Sequence, residues 1–157
     1  SQKGPGMKPK IWMLLTLIAG FFQPFASGES PPAKADVRPK RLLLLGQKPD
    51  SHPANTHEYM SGVRLLAKLL QSQGDIQTVV VQADSPWREG PELLEGADGI
   101  VLFLTEGAKW ISDDADRLAA FQRLAHRGGG LTVIHWGMGT REAAPVEKFV
   151  SLFGCCH

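Results

Sequence analysis

Four short runs of apolar residues, each bounded by polar or glycine positions, stand out along the chain after residue 40. They are rich in leucine, valine and isoleucine, which is typical of strands that are buried on both faces of a parallel sheet. We therefore predict four strands, at residues 41–46, 76–81, 99–104 and 131–134.

Apolar residues spaced three and four positions apart predict helices between and after these strands. The first helix would have Asn55 as its cap and Glu58 as its capping-box partner, and would end at Gly74. A longer helix would start at Ser112, with acidic residues in its first turn and basic residues in its last, as the helix dipole favours. Pro145 would open the last helix.

Strands and helices alternate along the chain, with a brief helical turn at residues 92–95 as the second helix. This order predicts an α/β fold built on a doubly wound parallel sheet with right-handed crossovers. We expect the flavodoxin-like strand order 2-1-3-4. In that order the first, third and fourth strands are neighbours, so the loops that follow them converge at one edge of the sheet.

The N-terminal residues follow a different pattern. Basic Lys8 and Lys10 precede an almost wholly apolar stretch at residues 11–22, and small residues follow up to Gly28. That succession is typical of a secretory signal peptide. The apolar stretch is shorter than the roughly 20 residues that a membrane span needs, so an uncleaved N-terminal anchor is the weaker alternative.

This pattern divides the chain into four predicted parts. Residues 1–6 are upstream or cloning-derived, residues 7–28 are the signal peptide, residues 29–40 are a Pro- and Ala-rich linker, and residues 41–157 are the folded domain. We expect an exported protein, periplasmic or extracellular, with no membrane association once the signal is removed.

Charge and cysteine content exclude several classes of protein. The chain carries 17 basic and 16 acidic residues, and removal of the predicted signal leaves 14 and 16, a net charge of −2. No nucleic-acid partner is expected from that balance. Cys155 and Cys156 are the only cysteines, and two adjacent cysteines cannot form a disulfide framework.

Polar side chains follow three of the predicted strands, at the edge where open α/β sheets bind their ligands. His135 directly follows the fourth strand, where it could act as a general base, a hydrogen-bond donor or a metal ligand. The alternative for His135 is a structural histidine packed under Trp136. Glu106 follows the third strand and could accept a proton or bind a sugar hydroxyl, unless it is an ordinary loop carboxylate.

His52 and His57 lie in the loop after the first strand. Two imidazoles and a carboxylate would suit a zinc or iron site with open positions, so a divalent metal cofactor is one hypothesis. The alternative is that His57 is a polar surface residue in the first turn of the helix.

Residues 98–107 and 128–135, together with the first strand and its histidine-bearing loop, resemble the trehalose-utilisation (ThuA-like) domain family. That family has the class I glutamine amidotransferase-like fold, and the resemblance covers residues 41–157. In the family the chain normally continues past a Gly-Cys-His string, to which residues 155–157 are similar. We therefore expect the domain to be incomplete at its C-terminus.

The resemblance implies a role in carbohydrate catabolism, with an oxidised (keto) sugar or a glycoside as the small-molecule substrate. Class I amidotransferases place a nucleophilic cysteine at the turn after the fourth strand, and residues 134–137 contain none. A thiolate mechanism needs a thiolate, so Cys-dependent glutamine hydrolysis is not expected.

Within this hypothesis the expected catalytic residues are His135, Glu106 and His57. The expected substrate-binding residues are His52, Lys109, Trp110, Trp136 and Arg141, with the indole rings stacking on a sugar face. Two alternatives stay open: a non-catalytic carbohydrate- or partner-binding module of a larger secreted protein, and a metal-dependent hydrolase. Nothing in the sequence indicates the oligomeric state.

Overall fold

A sheet of four parallel strands forms the centre of the fold, in the order β2-β1-β3-β4. The computed structural model describes residues 38–157. The strands are β1 (Lys40–Gly46), β2 (Ile76–Gln82), β3 (Gly99–Phe103) and β4 (Gly130–Val133). The predicted α/β class and the flavodoxin-like strand order are confirmed.

The register of the strands brings their carboxyl ends level with one another. Gly46, the last residue of β1, is paired with Gln82 of β2 and with Phe103 of β3. On the far side of β3, Leu102 is paired with Val133, the last residue of β4. The loops after β1, β3 and β4 therefore leave the sheet at the same edge.

Within residues 38–157, five helices follow or connect the strands. They are α1 (Tyr59–Leu70), α2 (Gly90–Glu95), α3 (Gly107–Ser112), α4 (Ala115–His126) and α5 (Val146–Phe153). A short 3₁₀ turn, His135–Met138, follows β4 directly.

Helices cover both faces of the sheet, because alternate residues of the central strands point to opposite faces. Leu44 belongs to a small core cluster with Val63 of α1. Leu43 belongs to a larger cluster on the other face, with Phe121 of α4 and Phe149 of α5. Full burial of an apolar side chain of this size stabilises the fold by about 1.5–3 kcal/mol. Helices thus pack against both faces of the sheet.

The predicted cap of the first helix is wrong. Asn55 has a left-handed φ of 67° and lies in the loop, and α1 begins at Tyr59 after Glu58, whose side chain makes no capping hydrogen bond. Hydrogen bonds to Asp50, described below, hold this loop in place of a capping box.

The helix predicted to start at Ser112 is two helices. Ser112 is the last residue of α3, and α4 begins after Asp114. The Asp114 side chain caps α4 by accepting a hydrogen bond from the Arg117 backbone N–H at 2.9 Å. Serine and aspartate are both common N-cap residues, but only Asp114 makes the hydrogen bond that an N-cap needs.

The predicted residues 1–6, the predicted signal peptide at 7–28 and most of the predicted linker at 29–40 lie outside the described residues. β1 begins at Lys40, the last residue of that linker. Within residues 38–157, no helix is long and apolar enough to cross a membrane.

Asp98, the residue before β3, connects that strand to the start of β1. Its carboxylate accepts two hydrogen bonds from the Arg38 guanidinium, at 2.7 and 2.8 Å, and one from the Arg41 backbone N–H at 2.8 Å. These bonds lower the pKa of Asp98 to about 2. Folding therefore stabilises the charged form of this carboxyl.

We expect this contribution to be fully present above about pH 4, where an unfolded aspartate is also ionised, and to be lost as the pH falls toward 2. Replacing Asp98 with Asn should flatten the acid dependence of the urea unfolding midpoint in that window. Asp75→Asn is the matched control, because Asp75 is exposed and its side chain makes no hydrogen bond within residues 38–157. Equal acid slopes for the wild type and Asp98→Asn would contradict this assignment.

Candidate functional site

Asp50 joins two histidines in the loop between β1 and α1. Its Oδ1 accepts a hydrogen bond from His52 Nδ1 at 2.8 Å, and its Oδ2 accepts one from His57 Nδ1 at 2.8 Å. Tyr59 Oη donates to Oδ2 at 2.8 Å, and the His52 backbone N–H donates to Oδ1 at 3.0 Å. An ionised carboxylate only accepts hydrogen bonds, so Nδ1 of each imidazole carries a proton.

These hydrogen bonds keep Asp50 charged. Burial alone would raise the pKa of this carboxyl, but the bonds from His52, Tyr59 and His57 outweigh burial and hold its pKa well below the usual range. Burial, together with the bond to Asp50, raises the pKa of Tyr59 to about 12. Near neutral pH the loop therefore holds one negative charge against two imidazoles and a protonated phenol.

His135 reaches the same place from the end of β4. Its Nε2 lies 3.3 Å from His57 Nε2, and the two ring centroids are 5.2 Å apart. The His57 side chain is 12% exposed, whereas His135 is exposed. One ring is thus sheltered and oriented by Asp50, and the other meets solvent.

Close packing of two glycines positions the turn that carries His135. A Cβ at Gly107, the first residue of α3, would overlap the carbonyl oxygen of Gly137 in the 3₁₀ turn. Near these glycines, Glu106 and His135 both have left-handed φ angles, of 44° and 53°. Non-glycine residues seldom adopt that conformation, and such positions cluster at ligand sites.

Gln47 connects the loop after β1 to the loop after β3. Its side chain is buried, and its Oε1 accepts a hydrogen bond from the Thr105 backbone N–H at 3.2 Å. The strand order reverses between β1 and β3, and ligands of open α/β sheets bind at such a point. The Gln47 bond therefore crosses the place where the fold class puts its sites.

The other charged residues predicted for the site lie on the segments that follow β3 and the 3₁₀ turn, where they pair with charged residues outside the histidine cluster. Glu106 Oε1 lies 3.4 Å from Arg141 Nε. Lys109 Nζ pairs with Glu142 at 2.7 Å and with Asp113 at 3.6 Å. Lys109 makes no hydrogen bond or ion pair with the histidine cluster, within residues 38–157, so the structure does not bring it into that group.

The two tryptophans predicted to stack on a sugar lie in different environments. Trp110 is 5% exposed and packs in the core against Trp87, Phe121 and the Arg117 guanidinium. The structure therefore does not present the Trp110 ring to a ligand at the surface. Trp136 is half-buried and lies edge-on to the His157 ring, with centroids 5.9 Å apart.

Three residues of the site escaped the sequence analysis: Asp50, Tyr59 and Gln47. Asp50 stands two positions before His52, and an Asp-x-His pair after a buried strand is the signal that could have revealed it. Tyr59 and Gln47 carried no such signal. Both are buried, and their roles depend on which loops the fold brings together.

The cluster formed by Asp50, His52, His57 and His135 can support two kinds of chemistry. In the neutral imidazole of His57, Nδ1 bears the proton, so Nε2 has a free lone pair that can accept a proton. Asp50, His52 and His57 also offer ligand atoms within 4.8 Å of one another, so these residues could hold a divalent cation.

A cavity of about 590 Å³ lies at the opposite edge of the sheet, near Arg38, Arg41 and Asp98. It contains none of the histidines of the cluster. Several of its charged groups are paired with one another, as the Arg38–Asp98 bonds illustrate. The chemistry and the strand-end rule both favour the histidine cluster over this cavity as the functional site.

No known protein family, curated protein or solved structure matches this chain. The parallel α/β fold is therefore established by its strands and their register.

Proposed function

We propose that this chain is an exported ThuA-like domain that acts on a carbohydrate, either an oxidised (keto) sugar or a glycoside, by proton transfer at the histidine cluster. The observation that carries the proposal is the contact between His57 Nε2 and His135 Nε2 at 3.3 Å, with Asp50 bonded to the far side of His57. Export enters the proposal through the basic, apolar and small-residue pattern of residues 7–28.

His57 is the proton acceptor in this proposal. Its Nδ1–H bond to Asp50 fixes the tautomer and leaves Nε2 as the base. The carboxylate also stabilises the imidazolium that forms when His57 takes a proton. A hydrogen on the carbon beside a sugar carbonyl, or on a hydroxyl, is the kind of proton that such a pair removes.

His135 is the complementary group on the exposed side. With the His57 proton on Nδ1, His135 Nε2–H donates the hydrogen bond to His57 Nε2, and a sugar oxygen would replace that contact. From the turn after β4, His135 can then donate a proton to the substrate oxygen on which charge develops. Two imidazoles with different environments suit opposite roles in one reaction.

The neighbouring loops supply polar groups for sugar hydroxyls. Glu106 follows β3 and Arg141 follows the 3₁₀ turn, so both lie on loops at this edge of the sheet, and the His52 side chain is 43% exposed. Trp136 is the remaining indole ring for a sugar face, since Trp110 is buried. These groups fit a small polar ligand better than an apolar one.

The test uses the full-length exported protein against a panel of sugars, keto sugars and glycosides. We expect His135→Asn to lower turnover of the active compound at least about 100-fold, because a group in acid–base catalysis is lost. Asparagine tolerates the left-handed φ of this position, so the turn should survive. His126→Asn is the matched control, because His126 is an exposed histidine in the last turn of α4.

Unchanged turnover in His135→Asn would remove His135 from the mechanism. Saturable sugar binding without any product would instead favour the non-catalytic alternative, a carbohydrate-binding module of a larger secreted protein.

A further inference from the structure

Three of the five histidines of the chain meet in one cluster. We infer that His57 and His135 bind a divalent cation of the zinc class through their Nε2 atoms, with Asp50 as the group that orients the His57 imidazole. The inference uses the side chains of the proposed function but does not rest on it, because an ion bound to both Nε2 atoms would take up the lone pairs that proton transfer needs. The binding can be measured without a sugar.

The tautomers favour coordination. Asp50 accepts hydrogen bonds from Nδ1 of His52 and of His57, so in both neutral rings the lone pair lies on Nε2. A neutral imidazole with its other nitrogen bonded to a carboxylate is the usual state of a metal-binding histidine. The hydrogen bonds to Asp50 thus hold His52 and His57 in the ligand form before any ion arrives, and His135 would give up its Nε2 proton on binding.

The spacing of the rings also fits. A tetrahedral zinc ion binds imidazole nitrogens at about 2.0–2.1 Å, which places two such nitrogens about 3.3–3.4 Å apart. The Nε2 atoms of His57 and His135 are 3.3 Å apart. Since His135 is exposed, water can supply the remaining ligands of the ion.

A hydrogen bond between the two imidazoles is the competing explanation of the 3.3 Å contact. His135 is exposed, and a hydrogen bond at the surface exchanges with water at little net gain. Yet the backbone holds His135 at a φ of 53°, a conformation that the surrounding structure must maintain. A cation bound by both His135 and the sheltered His57 would explain why the turn holds the His135 ring in this position.

Charge and ligand type narrow the choice of ion. The Asp50 carboxylate places one negative charge behind the rings, and Tyr59 is bonded to the same oxygen as His57. Imidazole ligands favour zinc, iron, cobalt or nickel over magnesium and calcium, which prefer oxygen. Since His52 and His135 are exposed, a position toward solvent stays open, where a bound ion could activate a water molecule or polarise a carbonyl.

The test is a titration of the chelator-treated full chain with Zn²⁺, followed by calorimetry, and with Co²⁺, followed by its visible absorption. We expect one equivalent to bind and Mg²⁺ not to compete. His57→Gln and His135→Asn should each weaken binding at least about 100-fold, and Asp50→Asn about 10- to 100-fold, the usual cost of losing an orienting partner. His126→Gln, which changes a distant exposed histidine, should bind as the wild type does.

Circular dichroism of each variant shows whether the fold survives, and His135→Asn keeps the test valid because it alters an exposed turn. Absence of stoichiometric Zn²⁺ binding, or equal binding by the wild type and the His57→Gln and His135→Asn variants, would overturn the inference. If the protein bound zinc but turned over no sugar, the cation site would stand and the proposed function would be wrong. Turnover by a protein that binds no zinc would overturn the cation site alone.

Discussion

Replacing Asp50 with Asn is expected to lower turnover of the sugar substrate by about 10⁴-fold, the loss seen when the aspartate of a serine-protease triad is changed in this way. The reason is the tautomer of His57. An amide at this position can turn its NH₂ toward Nδ1, and His57 must then carry its proton on Nε2. The base would lose its lone pair while its position changed little.

Two readouts separate this effect from simple unfolding. The kcat value should fall much more than KM changes, and the nitrogen chemical shifts of His57 should report the exchanged tautomer. Asp84→Asn is the matched control, because Asp84 accepts hydrogen bonds from Gln82 and from the Lys48 backbone at the same edge of the sheet, away from the histidines. A comparable kcat for Asp50→Asn and Asp84→Asn would refute the role of Asp50.

Gly107→Ala is expected to destabilise the protein by about 3 kcal/mol, at the upper end of what overpacked positions cost. The new Cβ would meet the Gly137 carbonyl oxygen, which is backbone and cannot rotate away as a side chain can. Relief requires the 3₁₀ turn to move off α3. Because that turn carries His135, the contact with His57 should be lost together with the stability.

Urea unfolding of Gly107→Ala, with Gly74→Ala as control, measures this effect. Gly74 has no atom within 4 Å of a Cβ built on it and no left-handed φ, so its substitution should change the free energy of unfolding by no more than about 0.5 kcal/mol. If both variants unfold alike, the approach of Gly107 to Gly137 does not constrain the turn.

The strands were predictable because their signal is local. Runs such as Leu42 to Leu45 are apolar at every position, which suits strands that pack helices on both faces. The helix starts were less predictable. At Asn55 and Ser112 the composition suits a cap, but the caps depend on which side chain reaches a free N–H, and the structure gives that role to Asp114 in α4.

The site was predictable in part, because the fold class determines which loops meet. His57 and His135 follow strands whose carboxyl ends converge in the order 2-1-3-4, so the fold rule alone brings their loops together. Asp50 was missed because its importance comes from hydrogen bonds across the loop. The burial of Trp110 was not foreseen, because the residues after β3 form α3, whose inward face buries that ring.

The contact between His57 and His135 spans the two layers of the molecule. His57 is anchored through Asp50 and Tyr59 to the α1 layer, and His135 is anchored through Gly137 to the α3 layer. The distance between the two rings therefore depends on both layers being packed against the sheet. A spectroscopic probe that is sensitive to the distance between these rings would detect local unfolding of either layer before the sheet itself unfolds.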